Sequence, residues 1–235
     1  MNLTLKESLV TRSRVFSPWT AFYFLQSLLI NLGLGYPFSL LYTAAFTAIL
    51  LLLWRTLPRV QKVLVGISSL VAACYFPFAQ AYGAPNFNTL LALHSTNMEE
   101  STEILTIFPW YSYLVGIFIF ALGVIAIRRK KESEKARWNT FDSLCLVFSV
   151  ATFFVAPVQN LAWGGVFKLK DTGYPVFRFA KDVIVNNNEV IEEQERMAKL
   201  SGMKDTWTVT AVKPKYQTYV VVIGESARRD ALGAF

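Results

Sequence analysis

The sequence predicts an α-helical membrane domain of five transmembrane helices, followed by an extracytoplasmic linker helix and the first strand of a truncated α/β domain. Three observations support this prediction. The chain is 54% hydrophobic and 15% aromatic, which is more apolar than an ordinary soluble domain. Five apolar runs approach the length of a bilayer crossing. Lysine and arginine cluster in alternate loops between these runs, a pattern typical of membrane proteins.

The five predicted spans are residues 15–34, 38–54, 63–82, 111–127 and 141–161. The first two are separated by a short turn containing Gly35 and Pro37, so we expect them to form a helical hairpin. The fifth run contains one acid, Asp142, near its start. Cys74 and Cys145 both lie inside apolar runs, and we interpret them as buried small hydrophobes rather than as a disulfide or a metal pair.

The basic residues give the predicted orientation. They are dense in residues 1–14, 55–62 and 128–137, whereas the alternate loops, 35–37 and 83–110, contain no lysine or arginine. The positive-inside rule therefore places the amino terminus in the cytoplasm and everything after residue 161 on the other side of the membrane. The net charge of +7 follows this loop pattern, so no nucleic-acid partner is predicted.

Two amphipathic segments are expected outside the spans. Residues 83–110 are moderately polar and suit a short helix at the membrane surface, with His94 as a surface residue. Residues 176–200 predict an amphipathic linker helix, although the apolar stripe is incomplete at Asn186, Asn187 and Asn188. This linker is either two helices or one helix resting on the membrane. Residues 201–214 are polar and predict a connector.

The last twenty residues have a different pattern. Residues 219–223 are a β-branched and aromatic run typical of a buried strand, and Gly224 predicts a tight turn after it. Glu225 and Ser226 would then lie at the carboxyl edge of a sheet, where ligands bind in α/β domains. A carboxylate there could bind a divalent cation, but a single ligand does not establish a metal site, and both residues could simply form the turn.

The five spans, the linker helix and the run Val-Val-Val-Ile-Gly-Glu-Ser-Ala-Arg-Arg-Asp together resemble the phosphoethanolamine transferases. These are inner-membrane enzymes of Gram-negative bacteria with a catalytic domain of the alkaline-phosphatase-like, or sulfatase-like, fold. The resemblance is closest to members that modify osmoregulated periplasmic glucans. It implies a multi-pass protein with a periplasmic carboxyl-terminal region, phosphatidylethanolamine as donor, a glucan or other sugar as acceptor, and surrounding membrane lipids as partners.

The resemblance also implies roles for residues near the end of the chain. Glu225 occupies the position of a zinc ligand, and Ser226 is not the counterpart of the nucleophile. The nucleophilic threonine and the other metal ligands would follow Phe235, so we predict no catalytic residue within this chain. The chain is accordingly expected to be an amino-terminal fragment, inactive alone, of a zinc-dependent transferase.

A lipid-headgroup site is implied in the segment 83–110. Thr96 and Glu100 match two polar positions of the family, and their spacing would place them on one face of a helix. The family's asparagine position falls on Ala92, with Asn88 one turn earlier. The alternative is that Glu99, Glu100 and Glu103 form a solvated acidic face.

Three regions are predicted: the transmembrane domain at 1–161, a periplasmic linker at 162–215 and the start of the catalytic domain at 216–235. Two alternative functions remain open at this point. One is a non-catalytic membrane scaffold, and the other is a related lipid phosphoglycerol transferase or sulfatase-like enzyme with another acceptor. The predicted strand at 219–223, followed by a turn that carries Glu225, favours an enzyme, because a scaffold has no need of it.

Overall fold

The computed structural model describes residues 18–129 and 138–203, and this part of the chain is helical. Its helices are α1 Pro18–Gly33, α2 Leu40–Thr56, α3 Pro58–Tyr82, α4 Phe87–Ser95, α5 Met98–Ile107, α6 Trp110–Arg128, α7 Thr140–Ala162 and α8 Pro175–Ser201, with a 3-10 turn at Leu169–Asp171. The predicted strand at 219–223 and Glu225 lie outside the described residues. The chain divides into two compact units, Met1–Glu195 and Arg196–Phe235.

Three of the predicted spans are confirmed as helices that are long and apolar enough to cross a membrane: α3, α6 and α7. The apolar helix α2 has 17 residues, and α1 has 16 and begins at the first described residue. A bilayer core needs roughly 20 residues of helix. The structure therefore supports three candidate spans, and the count of five stays a prediction.

Helices α3 and α6 pack closely because small residues line their contact. A β-carbon added at Gly116 of α6 would lie 2.7 Å from the carbonyl oxygen of Ala73, and one added at Gly123 would lie 2.6 Å from the β-carbon of Ser69. Such small residues allow two helix backbones to approach where apolar burial gives little driving force within lipid. The pairs run in opposite directions along the two helices, so α3 and α6 are antiparallel.

Helix α1 turns a polar face towards the interior of the bundle. Gln26, Ser27 and Asn31 are almost fully buried. Gln26 Nε2 donates to Ser69 Oγ at 3.1 Å, and Asn31 Nδ2 donates to Thr43 Oγ1 at 3.0 Å. By contrast, many of the large exposed side chains along the candidate spans are apolar, such as Ile67, Ile117 and Val147. A polar interior with an apolar exterior is what a lipid environment favours, because buried polar groups then bond to neighbouring helices.

An ion pair joins the end of α2 to the start of α7. Asn139 and Asp142 form a capping box that starts α7, with each side chain accepting from the other's backbone N–H. Arg55 Nη1 donates to both carboxylate oxygens of Asp142 at 2.5 Å and to Asn139 Oδ1 at 3.1 Å. Asp142 is 2% exposed. The acid that interrupts the fifth apolar run is therefore a helix cap and a salt-bridge partner.

Two sequence predictions are corrected. The segment 83–110 forms two short helices, α4 and α5, rather than one. Both cysteines are unpaired thiols, as predicted, but Cys74 is exposed on the outer side of α3 and only Cys145 is buried. For residues 176–200 the structure has a single helix, since α8 continues through the three asparagines; that this helix rests on the membrane stays a prediction.

Candidate functional site

A cavity of about 570 Å³ lies where α3 ends and α4 begins, beneath α8. Its wall is mainly aromatic and aliphatic, with a few polar groups from α4 and its cap. The lining residues are Tyr75, Phe78, Tyr82, Pro85, Asn86, Asn88, Thr89, Leu90, Ala92, Leu93, Phe179 and Val183. Cavities that bind small ligands commonly combine an apolar lining with a few placed polar groups. This arrangement suits an amphiphilic ligand.

The local sequence explains how the cavity is built. Gly83 ends α3 with a φ of 72°, a conformation that glycine adopts without steric cost. Tyr75 Oη donates to the carbonyl oxygen of Gly83 at 2.9 Å and thereby fixes this turn against α3. Asn86 then caps α4 by accepting from the backbone N–H of Thr89 at 3.1 Å. The turn and the cap together place α4 in the wall of the cavity.

Thr96 and Glu100 are not on one helical face, so that expectation is wrong. Thr96 ends α4, and its Oγ1 donates to the carbonyl oxygen of Ala92 at 2.5 Å. Asn97 starts a new helix by accepting from the N–H of Glu100 at 2.9 Å, while Glu100 accepts from the N–H of Asn97 at 3.4 Å. This reciprocal capping box breaks the helix between the two predicted site residues.

The neighbouring positions of the same predicted site are better placed. Asn88 and Ala92 both line the cavity, and they are one turn apart on α4. Thr96 and Glu100 are not among the described residues of this lining, and Glu100 is exposed. Asn86 and Asn88 are therefore the amide side chains that border the cavity, and the headgroup role of Thr96 and Glu100 stays a prediction.

The linker helix α8 contacts α4 and the residues just before it through two of the three asparagines that interrupt the apolar stripe of α8. Asn187 Oδ1 lies 2.9 Å from Nε2 of His94, which is exposed as predicted. Asn186 Nδ2 donates to the carbonyl oxygen of Pro85 at 3.5 Å. These amides are thus contacts between α8 and the segment containing α4. The sequence showed their position on the helix, but it did not show their partners.

A charged cluster fastens α8 to the turn between α1 and α2. Tyr36 Oη donates to Asp182 Oδ2 at 2.8 Å, and the Arg178 guanidinium lies 4.9 Å from the centre of the Tyr36 ring. Arg178 and Lys181 each approach Asp182 at 3.5 Å. Burial raises the pKa of Tyr36, and the hydrogen bond to Asp182 raises it further. The sequence gives no sign of this cluster because Tyr36 is 146 positions from Asp182.

The predicted zinc ligand Glu225 lies outside the described residues. Within residues 18–129 and 138–203, no group of three or more histidine, cysteine, aspartate or glutamate side chains could hold a metal ion. The metal chemistry therefore stays a prediction from the resemblance.

The helices and the cavity define a class of protein: a helical bundle with three candidate membrane spans and an amphiphile-sized site at one end. Sequence comparison relates this bundle to the phosphoethanolamine transferases, which confirms the resemblance drawn from the sequence. The chain is 99% identical over 235 residues to the phosphoethanolamine transferase OpgE of Escherichia coli, a match that covers 100% of this chain and 45% of that protein.

A second relative is more distant. The chain is 24% identical over 162 residues to a Haemophilus influenzae protein whose name also places it with the phosphoethanolamine transferases. That match covers 69% of this chain and 30% of the relative. No protein-family model matches the chain, and no solved structure matches it. The chain therefore spans less than half the length of the relatives it matches.

Proposed function

We propose that a longer protein containing this chain transfers phosphoethanolamine from phosphatidylethanolamine to a periplasmic glucan or a similar sugar hydroxyl. The observation that carries this proposal is the 99% identity to a phosphoethanolamine transferase over every residue of the chain. Three helices apolar enough to cross a membrane support it, because the proposed donor is a membrane lipid.

The proposed arrangement has three parts. Residues 1–161 form a domain with five membrane crossings and a cytoplasmic amino terminus, in the inner membrane of a Gram-negative bacterium. Residues 162–215 form a periplasmic linker that includes α8, and residues 216–235 begin an alkaline-phosphatase-like catalytic domain. Arg55, Arg59, Arg128 and Arg129 lie at one end of the bundle, which supports this orientation through the positive-inside rule.

In this proposal the cavity beneath α8 presents the donor lipid. Its aromatic wall would receive the glycerol and upper acyl region, while Asn86 and Asn88 would hydrogen-bond to the headgroup. An amide side chain offers both a donor for phosphate oxygens and an acceptor for an ammonium group. Thr96 and Glu100, which lie at the far end of α4 and the start of α5, would contact only a headgroup that extends beyond the cavity.

The transfer step is proposed to occur on the part of the protein that follows this chain. A threonine hydroxyl would attack the donor phosphorus, the diacylglycerol oxygen would leave, and a sugar hydroxyl would then displace the threonine. Glu225 would be one ligand of a zinc ion, which lowers the pKa of a hydroxyl and stabilises charge on phosphoryl oxygens. The cavity's contribution is to hold the donor phosphate near this nucleophile.

The test uses the chain extended through a catalytic domain, in membranes that contain phosphatidylethanolamine. Glu225→Ala should abolish transfer to glucan, whereas Glu103→Ala, a matched substitution on the exposed side of α5, should not change it. Asn88→Leu should raise the KM for the lipid more than it lowers kcat, because it removes a proposed binding contact. Full activity of Glu225→Ala would refute the metal-ligand assignment, and an unchanged KM in Asn88→Leu would refute the cavity's role.

A further inference from the structure

An arginine lies in an aromatic cage at the end of the bundle opposite the cavity. Arg129 follows the last residue of α6, and its guanidinium carbon lies 4.1 Å from the ring centre of Trp19 and 4.3 Å from that of Trp54. The Tyr23 ring centre is 5.9 Å away. The cage therefore joins the start of α1, the end of α2 and the end of α6.

The aromatic rings cover the flat faces of the Arg129 guanidinium group, but they do not provide hydrogen-bond acceptors for all of its N–H groups. Nη1 of Arg129 is buried and has no hydrogen-bond partner in the described part of the chain. Cation–π contacts act on the flat faces of the guanidinium group, whereas its N–H donors point outward in the plane of the group. Arg129 as a whole is half-buried, so the residue is not fully enclosed, and its buried Nη1 is the donor left for a ligand.

The surrounding charge favours an anion. Arg59, Lys62 and Arg128 lie at the same end of the helices, because the start of α3 packs against the end of α6, with Gly66 beside Ile127. The acid described at this end, Asp142, is already paired with Arg55. An anion that approached the cage would therefore meet a net positive field.

The position of the cage limits what kind of anion reaches it. The neighbouring spans expose large apolar side chains such as Val63, Ile67 and Ile125, and tryptophan at the end of such helices is typical of the membrane–water boundary. Anionic groups at that depth are the phosphates of phospholipids, and basic pockets between membrane helices are known to bind them. The arginine edge also matches a phosphate in shape, since it can donate two parallel hydrogen bonds.

We propose that the cage of Trp19, Trp54 and Arg129 binds the phosphodiester of an anionic phospholipid. The aromatic rings hold the guanidinium with one edge towards the headgroup, and the acyl chains lie along the apolar outer faces of the bundle. This site is independent of the proposed transferase activity, because it lies at the other end of α3 from the cavity.

The test measures lipid binding to the purified chain in a neutral detergent. The probe is dioctanoyl phosphatidylglycerol, and binding is followed by native mass spectrometry. Dioctanoyl phosphatidylcholine tests whether net negative charge is needed, and glycerol phosphate tests whether a lipid is needed. Arg129→Gln removes the charge and the donors, Arg129→Lys keeps only the charge, and Arg128→Gln is the matched control on the exposed side of the same helix end.

We expect Arg129→Gln to weaken phosphatidylglycerol binding about tenfold, because it removes a charge-assisted hydrogen bond to the phosphate. Arg129→Lys should give a smaller loss, and Arg128→Gln should stay within about twofold of the unaltered chain, since a single exposed charge contributes little. Phosphatidylcholine and glycerol phosphate should bind more weakly than phosphatidylglycerol.

Each of the following four results would overturn the proposal. Equal losses of phosphatidylglycerol binding in Arg129→Gln and Arg128→Gln would show that binding depends on general electrostatic attraction and not on the cage. Equal binding of phosphatidylcholine, or of glycerol phosphate, would remove the requirement for an anionic lipid. Unchanged binding in Arg129→Lys would show that the two-donor edge is irrelevant, and this variant keeps the positive charge in the cage if Arg129→Gln does not fold.

Discussion

The hydrogen bond between Tyr36 and Asp182 gives a sharp prediction about how α8 is held. Tyr36→Phe removes only the hydroxyl that donates to Asp182 at 2.8 Å, and the ring that lies against Arg178 remains. The Asp182 side chain is 17% exposed and keeps Arg178 and Lys181 as partners. Hydrogen bonds to charged groups contribute about 1.5–3 kcal/mol. Because those partners remain, we expect a loss near the lower end, about 1.5 kcal/mol.

The loss should appear as a change in local as well as global stability. Amide hydrogen exchange in α8 should become about tenfold faster in Tyr36→Phe, and the free energy of unfolding in mixed micelles should fall by a similar amount. Tyr111→Phe, which alters an exposed ring at the start of α6, is the control.

A double-mutant cycle decides whether the two residues act together. Asp182→Asn and Tyr36→Phe should be less costly in combination than the sum of the single changes, because each already removes the shared bond. Strict additivity of the two changes, or unchanged exchange in α8 after Tyr36→Phe, would refute the idea that this bond holds α8 to the turn between α1 and α2.

Three further predictions follow from other contacts. Asp142→Ala should lower the free energy of unfolding by about 3 kcal/mol, because the largely buried Arg55 loses its carboxylate partner; a loss no larger than that of Glu103→Ala would contradict this. Asn97→Ala should destabilise α5 by about 1 kcal/mol through loss of its cap, read as faster amide exchange in α5 with α6 unchanged; equal acceleration in both helices would contradict it. Burial raises the pKa of Tyr174 from 10.0 to about 12. The folded state therefore holds this proton more tightly than the unfolded state, and stability should be lost as pH rises through that interval. Tyr174→Phe should flatten the pH profile of unfolding there, and an unchanged slope would contradict the assignment.

The membrane helices were predictable because their signal is local. The uncharged run of α3 follows the basic residues Arg55 to Lys62, and the uncharged run of α6 ends at Arg128. In the structure, α3 begins and α6 ends within a few residues of these charges. The apolar pattern also predicted α8, since its two faces differ over many turns. The length and composition of a run are sufficient to predict such a helix, because in lipid every backbone N–H and C=O group has to bond within its own helix.

The site was less predictable because its signals are not local. A spacing of four residues suggested that Thr96 and Glu100 share a face, but Asn97 between them is a strong cap and ended the helix. That signal was present in the sequence as asparagine followed three residues later by glutamate. The contacts of Asn186 and Asn187 with the α4 segment, and the cage around Arg129, depend on helix packing and had no comparable signal.

The most direct test of the proposed function follows the phosphoethanolamine group itself. The extended protein would be supplied with phosphatidylethanolamine labelled in its ethanolamine carbons and with purified periplasmic glucan, and the glucan would be analysed by mass spectrometry. We predict that the glucan gains labelled phosphoethanolamine and that diacylglycerol accumulates in equal amount. A glucan that stays unlabelled, or that gains glycerol phosphate from phosphatidylglycerol instead, would contradict the proposal.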